Sequence, residues 1–284
     1  MRNDTINLNN GVKIPTLGFG TWCLSDIDAA DAVRRAIAAG YRHIDTAEAY
    51  ENEHGVGVGI RESGIPRDEI FVTSKVRAEY KTYESAAAAI DGSLRATGLD
   101  FLDLMIIHSP QPWAEWRGEK RYFEENREVW RAMEDALRAG KVRAIGVSNF
   151  LRDDLESLLP ACHVRPAVNQ VLAHIGNTPH DLLAFDREQC IATEAYSPIA
   201  HGEALKSPAI CETAKKYGVS AARLCIRYVL ELGMIALPKA TSEAHIRENA
   251  ALDFDISSED MQFLSSLNFK NYGEYGYFPV FSGK

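Results

Sequence analysis

The chain has 284 residues, of which 46% are hydrophobic, so it is long enough and apolar enough to bury a large core. A formal net charge of −9 disfavours nucleic-acid binding, because proteins of that class usually present a basic face. No signal peptide or bilayer-spanning apolar run is recognisable, and the eight histidines show no metal-ligand spacing. The five cysteines are scattered without a CxxC pair. We therefore expect a cytoplasmic protein without membrane segments or metal.

Two short strands open the chain. The segments Thr5–Leu8 and Val12–Pro15 flank the sequence Asn-Asn-Gly, whose residue types favour a tight turn. The sequence therefore predicts a β-hairpin that precedes the main fold.

Eight short apolar segments then alternate with helical patterns. Their lengths and their content of Val and Ile are typical of strands buried on both faces. The predicted strands are Thr16–Phe19, Arg42–Asp45, Ile70–Lys75, Leu102–His108, Ala144–Ser148, Ala167–Val171, Ile191–Tyr196 and Ile235–Pro238. Helices that end within two residues of a glycine are predicted at Asp28–Ala39, Thr82–Ala96 and Glu124–Ala139. This alternation predicts the α/β class and, within it, a (β/α)₈ TIM barrel.

No linker, charge block or low-complexity segment divides the chain, so we expect one domain over residues 1–284. The last segment, Phe269 to Lys284, is rich in Gly, Tyr and Phe and is predicted to form an irregular tail. The segment Gly55–Ile60 begins like the dinucleotide-binding GxGxxG motif, but its final glycine is absent and no apolar strand directly precedes it. A glycine-rich helix is the preferred interpretation.

Three consecutive predicted strands end in ionisable side chains, namely Asp45, Lys75 and His108. In a barrel of this type, catalytic side chains lie where the strands end, at the C-terminal face. Each residue alone has an ordinary structural explanation, since Asp caps turns, Lys extends its charge to solvent and His is often structural. Their occurrence on neighbouring strands favours a shared functional site.

Tyr50 follows Asp45 in the segment TAEAYENE and is a candidate proton donor. Considered alone, it is better explained as an aromatic residue packed on the barrel rim. A neighbouring Lys75 ammonium would lower the pKa of the Tyr50 phenol, and Asp45 could hold that ammonium by ion pairing. His108 could hydrogen-bond a carbonyl oxygen. The four residues suit proton transfer to an oxygen that gains charge, but a cofactor would have to supply a hydride.

At these residues the sequence resembles the aldo-keto reductase family, and in particular short prokaryotic-type members similar to diketogluconate reductase-like enzymes. The resemblance covers most of the chain, through the segments LGFGTW, HIDTAEAYENE, FVTSKV, LDLMIIHSP, GKVRAIGVSNF, NQV, EAYSPIA and LPKATSEAHIREN. It implies a (β/α)₈ barrel and the reduction of aldehydes or ketones to alcohols with a nicotinamide cofactor. It also places Asp45, Tyr50, Lys75 and His108 at the catalytic positions, with Tyr50 as the proton donor.

The resemblance further implies a set of cofactor contacts. The residues that match those holding the nicotinamide ring and its carboxamide are Ser148, Asn149, Gln170 and Tyr196. The residues that match the adenosine phosphate and adenine contacts are Lys239, Glu248 and Asn249. The expected set is completed by Thr21, Trp22, Ser197, Ser242 and His245. Each also has an ordinary structural explanation, as a turn residue, a barrel polar group or a surface charge.

The chain departs from the commonest family pattern at three positions. Ala240 replaces a Ser after Lys239, and His245 replaces an Arg. Because Arg is permanently charged and binds phosphate in a bidentate manner, whereas His is only partly charged near neutral pH, we expect NADPH with NADH possible and only a modest preference. Ser109 stands where many relatives have Trp. The pocket is then either more open there or filled by Trp113.

The expected partner is a small-molecule carbonyl substrate, bound by a monomer. The loop after His108 is long and lies on the catalytic face. The expected substrate contacts are His108, Trp22 and Trp113, over which Tyr275, Tyr277 and Phe278 of the tail could close. The loop also carries basic residues, which form either a solvated face or a cationic rim that favours carboxylate-bearing substrates, namely Arg117, Lys120 and Arg121.

Two other functions fit the same fold. A barrel also hosts phosphate-handling lyases and isomerases, but the Tyr–Lys–Asp–His group does not suit that chemistry. A nucleotide-sensing or subunit-binding protein with little turnover is the second alternative. The complete catalytic group favours an enzyme over this alternative.

Overall fold

The computed structural model describes residues 4–282 and begins with the predicted hairpin. Strand β1 (Thr5–Asn7) pairs antiparallel with β2 (Lys13–Pro15) around a turn in which Gly11 has φ +84°. Glycine adopts this left-handed conformation without steric cost, which explains its place in the turn. The Asn9 side chain donates to the Pro166 carbonyl at 2.8 Å. This contact attaches the hairpin to the base of the main sheet.

The main sheet is a barrel of eight parallel strands. They are β3 (Phe19–Gly20), β4 (His43–Asp45), β5 (Phe71–Val76), β6 (Leu102–Ile107), β7 (Val142–Ser148), β8 (Val168–Leu172), β9 (Ala192–Tyr196) and β10 (Ile235–Leu237). The strands are neighbours in chain order, and Leu17 bridges to Ala236 to bring the first strand beside the last. The predicted (β/α)₈ architecture is confirmed. The first barrel strand is the least accurate prediction, since it begins at Phe19 rather than Thr16.

Ten helices surround the barrel within the described part of the chain. They are α1 (Asp26–Ala38), α2 (Glu53–Glu62), α3 (Tyr83–Thr97), α4 (Phe123–Arg138), α5 (Arg152–Leu158), α6 (His180–Glu188), α7 (Pro208–Lys216), α8 (Ala221–Glu231), α9 (Glu243–Asn249) and α10 (Ser258–Ser266). The tail after α10 contains two short 3₁₀ turns, Gly273–Tyr277 and Pro279–Phe281. Gly283 and Lys284, the end of the predicted tail, lie outside the described residues.

The strands are buried on both faces, and β6 shows why their sequences are continuously apolar. Leu104 and Ile106 belong to an inner apolar cluster that also contains Ile14 of the hairpin. Met105 and Ile107 belong to the larger cluster formed with the helices. Successive side chains point to opposite faces of a strand, so both faces of β6 require apolar residues. The hairpin thereby covers the lower end of the barrel and leaves the upper end for the site.

The predicted glycine-rich helix is α2, which packs against α1 and α3. A Cβ atom on Gly57 would lie 1.9 Å from the backbone oxygen of Thr97 in α3. On Gly55 it would lie 1.8 Å from the backbone oxygen of Asp26 in α1. The glycines therefore permit close helix packing, and the motif has no part in binding a dinucleotide.

Gly57→Ala tests this packing role. Helix propensity alone would make the substitution stabilising by about 1 kcal/mol, but the clash with backbone should produce a net loss of about 2 kcal/mol or more. Gly92→Ala in α3 is the matched control, because the nearest atom to its added Cβ is a flexible Arg95 nitrogen at 4.0 Å. Urea unfolding should show Gly57→Ala destabilised and Gly92→Ala at least as stable as the wild type. Equal stability of the two variants would contradict the packing argument.

Candidate active site

A cavity of about 760 Å³ opens at the C-terminal ends of the barrel strands. Its inner end is lined by Asp45, Tyr50 and His108, and its far end by Lys239 and Asn249. The barrel thus brings together residues that are separated by up to about two hundred positions in the chain. A cavity lined both by acid–base residue types and by a lysine suits a ligand that is partly anionic.

Asp45 and Lys75 form a buried ion pair at the inner end of the cavity. The Lys75 Nζ donates to Asp45 Oδ1 at 2.7 Å and to the Thr46 carbonyl at 2.8 Å. The second Asp45 oxygen accepts from the Gln170 Nε2 at 2.8 Å. Because the pair is neutralised and hydrogen-bonded on both sides, the charges can remain in the barrel interior. The predicted pairing of Asp45 with Lys75 is present.

Tyr50 ends the 3₁₀ turn Glu48–Tyr50, directly after β4. The Lys75 Nζ lies 4.8 Å from the centroid of its ring. Burial, followed by the negative charge of Asp45, raises the pKa of Tyr50 well above its ordinary value. The net shift is therefore opposite to the lowering expected from Lys75 alone, because Asp45 balances the ammonium and the cavity desolvates the phenol. The phenol remains protonated near neutral pH.

His108 follows β6 and packs edge-on against Tyr50, with 5.6 Å between ring centroids. Burial, and then the charges of Lys75 and Arg77, lower its pKa well below the ordinary value. The neutral imidazole can donate one hydrogen bond. Trp113 packs edge-on against its other side at 5.4 Å. Ser109 left two alternatives, a more open pocket or one filled by Trp113. In the structure Trp113 lies beside His108, as in the second alternative.

A hydrogen-bonded group joins the ends of β7, β8 and β9 beside Tyr50 and His108. The Ser148 Oγ donates to the Gln170 carbonyl at 2.8 Å. The Asn149 Nδ2 donates to the His108 carbonyl at 3.0 Å, and its Oδ1 accepts from the Tyr196 hydroxyl at 2.7 Å. Ser148, Asn149, Gln170 and Tyr196 all line the cavity. The structure thus brings together the four residues predicted to hold the nicotinamide ring.

Glu194 and His43 were missed by the sequence analysis. Glu194 in β9 is fully buried and accepts from the Gln170 Nε2 at 2.9 Å. Its other oxygen lies 3.7 Å from the Nε2 of the equally buried His43. Burial raises the pKa of Glu194 to about 8 and lowers that of His43 to about 3. The sequence did contain a signal for both residues. Each is an ionisable residue inside an apolar strand, and each lies two positions before a predicted site residue, Tyr196 or Asp45.

The far end of the cavity is formed by the segment from β10 into α9. Its lining residues are Lys239, Ala240, Thr241, His245, Glu248 and Asn249. Ser242 is the N-cap of α9 and accepts from the His245 backbone nitrogen at 3.2 Å. Arg247 faces elsewhere and pairs with Glu243 at 2.8 Å. The cavity therefore has two side chains able to carry positive charge at this end, Lys239 and His245.

Two predicted cofactor contacts do not line the cavity, and two others do. Thr21 is buried, and its Oγ1 donates to the Asp45 carbonyl at 2.9 Å. Ser242 caps a helix, as described above. Trp22 and Ser197 line the cavity, and the Ser197 Oγ lies 3.1 Å from the His201 Nε2. Thr21 and Ser242 thus support neighbouring residues of the site from outside the cavity.

The substrate end is walled by aromatic rings from four parts of the chain. Trp22 packs against Phe278 with 5.7 Å between centroids, and Trp113 packs against Phe278 at 5.0 Å. Tyr275 stacks on His201 at 4.2 Å, and both line the cavity. Tyr277 is 77% exposed, so the expectation that it closes over the cavity is wrong. His201 was not predicted, because nothing local indicates that the tail folds onto it.

The basic residues of the loop after β6 are paired with carboxylates. Arg121 contacts Asp153 and Asp154, the latter at 2.7 Å. Lys120 pairs with Glu125 at 2.8 Å. The Arg117 Nη1 lies 3.9 Å from the same Asp154, and its guanidinium covers the Trp116 ring. None of these three basic residues lines the cavity. The interpretation of these residues as a cationic rim is therefore wrong.

Two further observations concern membranes and metals. Among residues 4–282, no helix combines the length and the apolar character that crossing a bilayer requires. Within that range, His, Cys, Asp and Glu side chains form no group of three or more that could hold a metal ion.

Comparison with known proteins matches residues 16–268 to the profile of the Aldo/keto reductase family. The chain is 42% identical to a glyoxal reductase of Bacillus subtilis (strain 168) over 267 residues, which covers 93% of each protein. A crystal structure of an aldo/keto reductase from Brucella melitensis superposes with a TM-score of 0.87 at 39% identity, covering 93% of this chain and 99% of that one. A Bombyx mori aldo-keto reductase in complex with NADP superposes with a TM-score of 0.86 at 31% identity, covering 99% of each.

Proposed function

The chain belongs to the aldo/keto reductase family and is an NAD(P)H-dependent oxidoreductase, and on this premise we propose that it reduces aldehydes or ketones to alcohols with Tyr50 as proton donor. The observation that carries the proposal is the buried Asp45–Lys75 ion pair beneath the Tyr50 ring. Tyr50 and His108 lie beside it in one cavity.

Each residue at the inner end of the cavity has a distinct role in the proposed carbonyl reduction. A nicotinamide held by Asn149, Gln170 and Tyr196 would supply the hydride when bound. His108, neutral because of its burial, donates a hydrogen bond that orients the carbonyl oxygen. Tyr50, protonated at neutral pH, gives its proton to that oxygen as negative charge develops there. The Lys75 ammonium stabilises the phenolate that remains, and Asp45 holds the ammonium in place.

The cavity residues fit a nicotinamide dinucleotide. Gln170 and Asn149 offer amide groups, and Tyr196 offers a ring at the inner end. Lys239 and His245 at the far end provide charge for a phosphate group. Both groups of residues line one cavity of about 760 Å³.

Tyr50→Phe should reduce kcat by a factor of about 10² or more, because the ring remains but the proton donor is lost. Dinucleotide affinity, measured by fluorescence titration, should change little. Tyr217→Phe is the matched control, since its hydroxyl bonds Asp260 at 2.7 Å, outside the cavity. Turnover is measured with NADPH and a reactive aldehyde. A Tyr50→Phe enzyme with near wild-type kcat would refute the assignment, and absence of turnover in the wild type would favour a nucleotide-sensing protein.

We propose that NADPH is the preferred cofactor by a modest margin and that NADH is also used. Lys239 supports binding of the additional phosphate, whereas the exposed His245 lacks the bidentate guanidinium that an Arg would supply.

His245→Arg should increase NADPH affinity about tenfold and leave NADH affinity unchanged, because a guanidinium binds phosphate in a bidentate manner. Arg247→Gln is the control, since Arg247 pairs with Glu243 and does not line the cavity. An Arg variant that gains nothing specific for NADPH would show that position 245 does not contact the phosphate.

We propose that the preferred substrates are neutral, apolar carbonyl compounds. The substrate end is aromatic, and the neighbouring Arg and Lys residues are already paired with carboxylates. A negatively charged substrate would lose hydration there without gaining a cationic partner. We also propose that the enzyme acts as a single-domain monomer.

Benzaldehydes with and without a para-carboxylate test the substrate class. The neutral aldehyde should have the higher kcat/KM, by a factor of about 10 or more. Arg121→Ala should leave the ratio of the two kcat/KM values unchanged, because that guanidinium is held by Asp153 and Asp154. If the para-carboxylate aldehyde has the higher kcat/KM, and Arg121→Ala or Arg117→Ala removes that difference, these residues form a cationic rim and this proposal is rejected.

A further inference from the structure

The side-chain amide of Gln170 is held between the Asp45 carboxylate and the Glu194 carboxyl group. Its Nε2 donates to Asp45 Oδ2 at 2.8 Å and to Glu194 Oε2 at 2.9 Å. These contacts use both amide N–H groups. No described residue donates a hydrogen bond to the amide oxygen, and Gln170 lines the cavity. The amide therefore presents an acceptor to the cavity and keeps its donors in the barrel interior.

The Asp45 carboxylate, together with the Glu194 carboxyl group, makes this orientation the favourable one. A rotated amide would place its oxygen against the Asp45 carboxylate and would break both hydrogen bonds. With Asp45 alone, only one N–H would be engaged, and the other would be free to face the cavity as a competing donor. Glu194 thus determines whether Gln170 offers an acceptor alone or a mixture of donor and acceptor.

Glu194 has little other reason to be in the barrel. It is fully buried, its Oε1 has no hydrogen-bond partner among the described residues, and the nearest ionisable contact is His43 at 3.7 Å. A buried ionisable group is costly, and the residue paired with Glu194 on the neighbouring strand is the buried, apolar Ile235. The hydrogen bond to Gln170 is the one contact that an apolar side chain at position 194 could not supply.

We infer that Glu194 is a positioning residue that orients the Gln170 amide, so that the site accepts a hydrogen bond from the carboxamide N–H of a nicotinamide ring. This inference rests on the proposed binding of a nicotinamide dinucleotide in the cavity. Glu194 does not contact the ligand. It acts through Gln170, and its effect is selectivity for a ring substituent that can donate.

The test compares the Kd values of NADP and of its 3-acetylpyridine analogue, in which a methyl group replaces the carboxamide NH₂. Binding is followed by quenching of tryptophan fluorescence, since Trp22 and Trp113 line the cavity. The wild type should bind NADP about tenfold more tightly, the value of one hydrogen bond. Glu194→Leu should reduce this preference to within about twofold. Glu194→Gln should restore it, because the amide oxygen of the new residue can accept from Gln170.

Asp186→Asn is the matched control. Asp186 is also fully buried, but it accepts from Asn169 and from the Thr193 hydroxyl at 3.1 Å and has no contact with Gln170. The Asp186→Asn variant should have a lower melting temperature than the wild type but the same preference for NADP over the analogue. A Glu194→Leu protein that does not fold is replaced by Glu194→Ser, whose smaller side chain admits water and again leaves the amide orientation free.

The outcomes separate the inference from the proposed function. Suppose that Glu194→Leu or Glu194→Ser keeps the full preference for NADP over the analogue, and that Gln170→Met loses it. This result would overturn the role of Glu194 but would leave the contact between Gln170 and the carboxamide intact. If the wild type binds the two dinucleotides with equal Kd values, Gln170 does not accept a hydrogen bond from the carboxamide, and the inference is overturned. Failure of the wild type to bind either dinucleotide would reject the proposed function itself.

Discussion

The buried ion pair between Asp45 and Lys75 is the interaction on which the rest of the site depends. Transfer of two charges from water to a protein interior costs several kcal/mol for each ion, and only good geometry with further hydrogen bonds offsets that cost. Thr46 supplies its carbonyl to the ammonium, and Gln170 supplies an amide N–H to the carboxylate. These partners come from β4, β5 and β8, so the pair is stable only in the closed barrel.

The barrel interior changes character from its base to its rim. The lower layers contain apolar side chains from the hairpin and from alternate strand positions, including Ile14 and Leu104. The buried polar side chains of the barrel include His43, Asp45, Lys75, Gln170 and Glu194. An apolar base provides the stabilisation that the polar layers above it lack. The polar residues are therefore confined to the end of the barrel where the cavity opens.

The cavity has two chemically different ends because two different segments complete it. The segment from β10 into α9 contributes Lys239 and His245, which suit a phosphate. The tail returns over the opposite end, where Tyr275 stacks on His201 and Phe278 packs against two tryptophans. Pairing of the loop arginines with Asp153 and Asp154 removes positive charge from the aromatic end. Charge and apolar surface are thus separated along one cavity.

Much of this arrangement is determined by the sequence alone. Strand number, the hairpin and the placement of Asp45, Lys75 and His108 at strand ends follow from local patterns, because strand burial and turn chemistry depend on a few neighbouring residues. The direction of the Tyr50 pKa shift depends instead on desolvation by residues distant in the chain. Likewise, the contact of Gln170 with Asp45 joins residues 125 positions apart. Only the tertiary structure decided which carboxylates pair with Arg121 and where the tail packs. The partners of a surface charge and of a loop aromatic depend on three-dimensional proximity, which no local sequence pattern encodes.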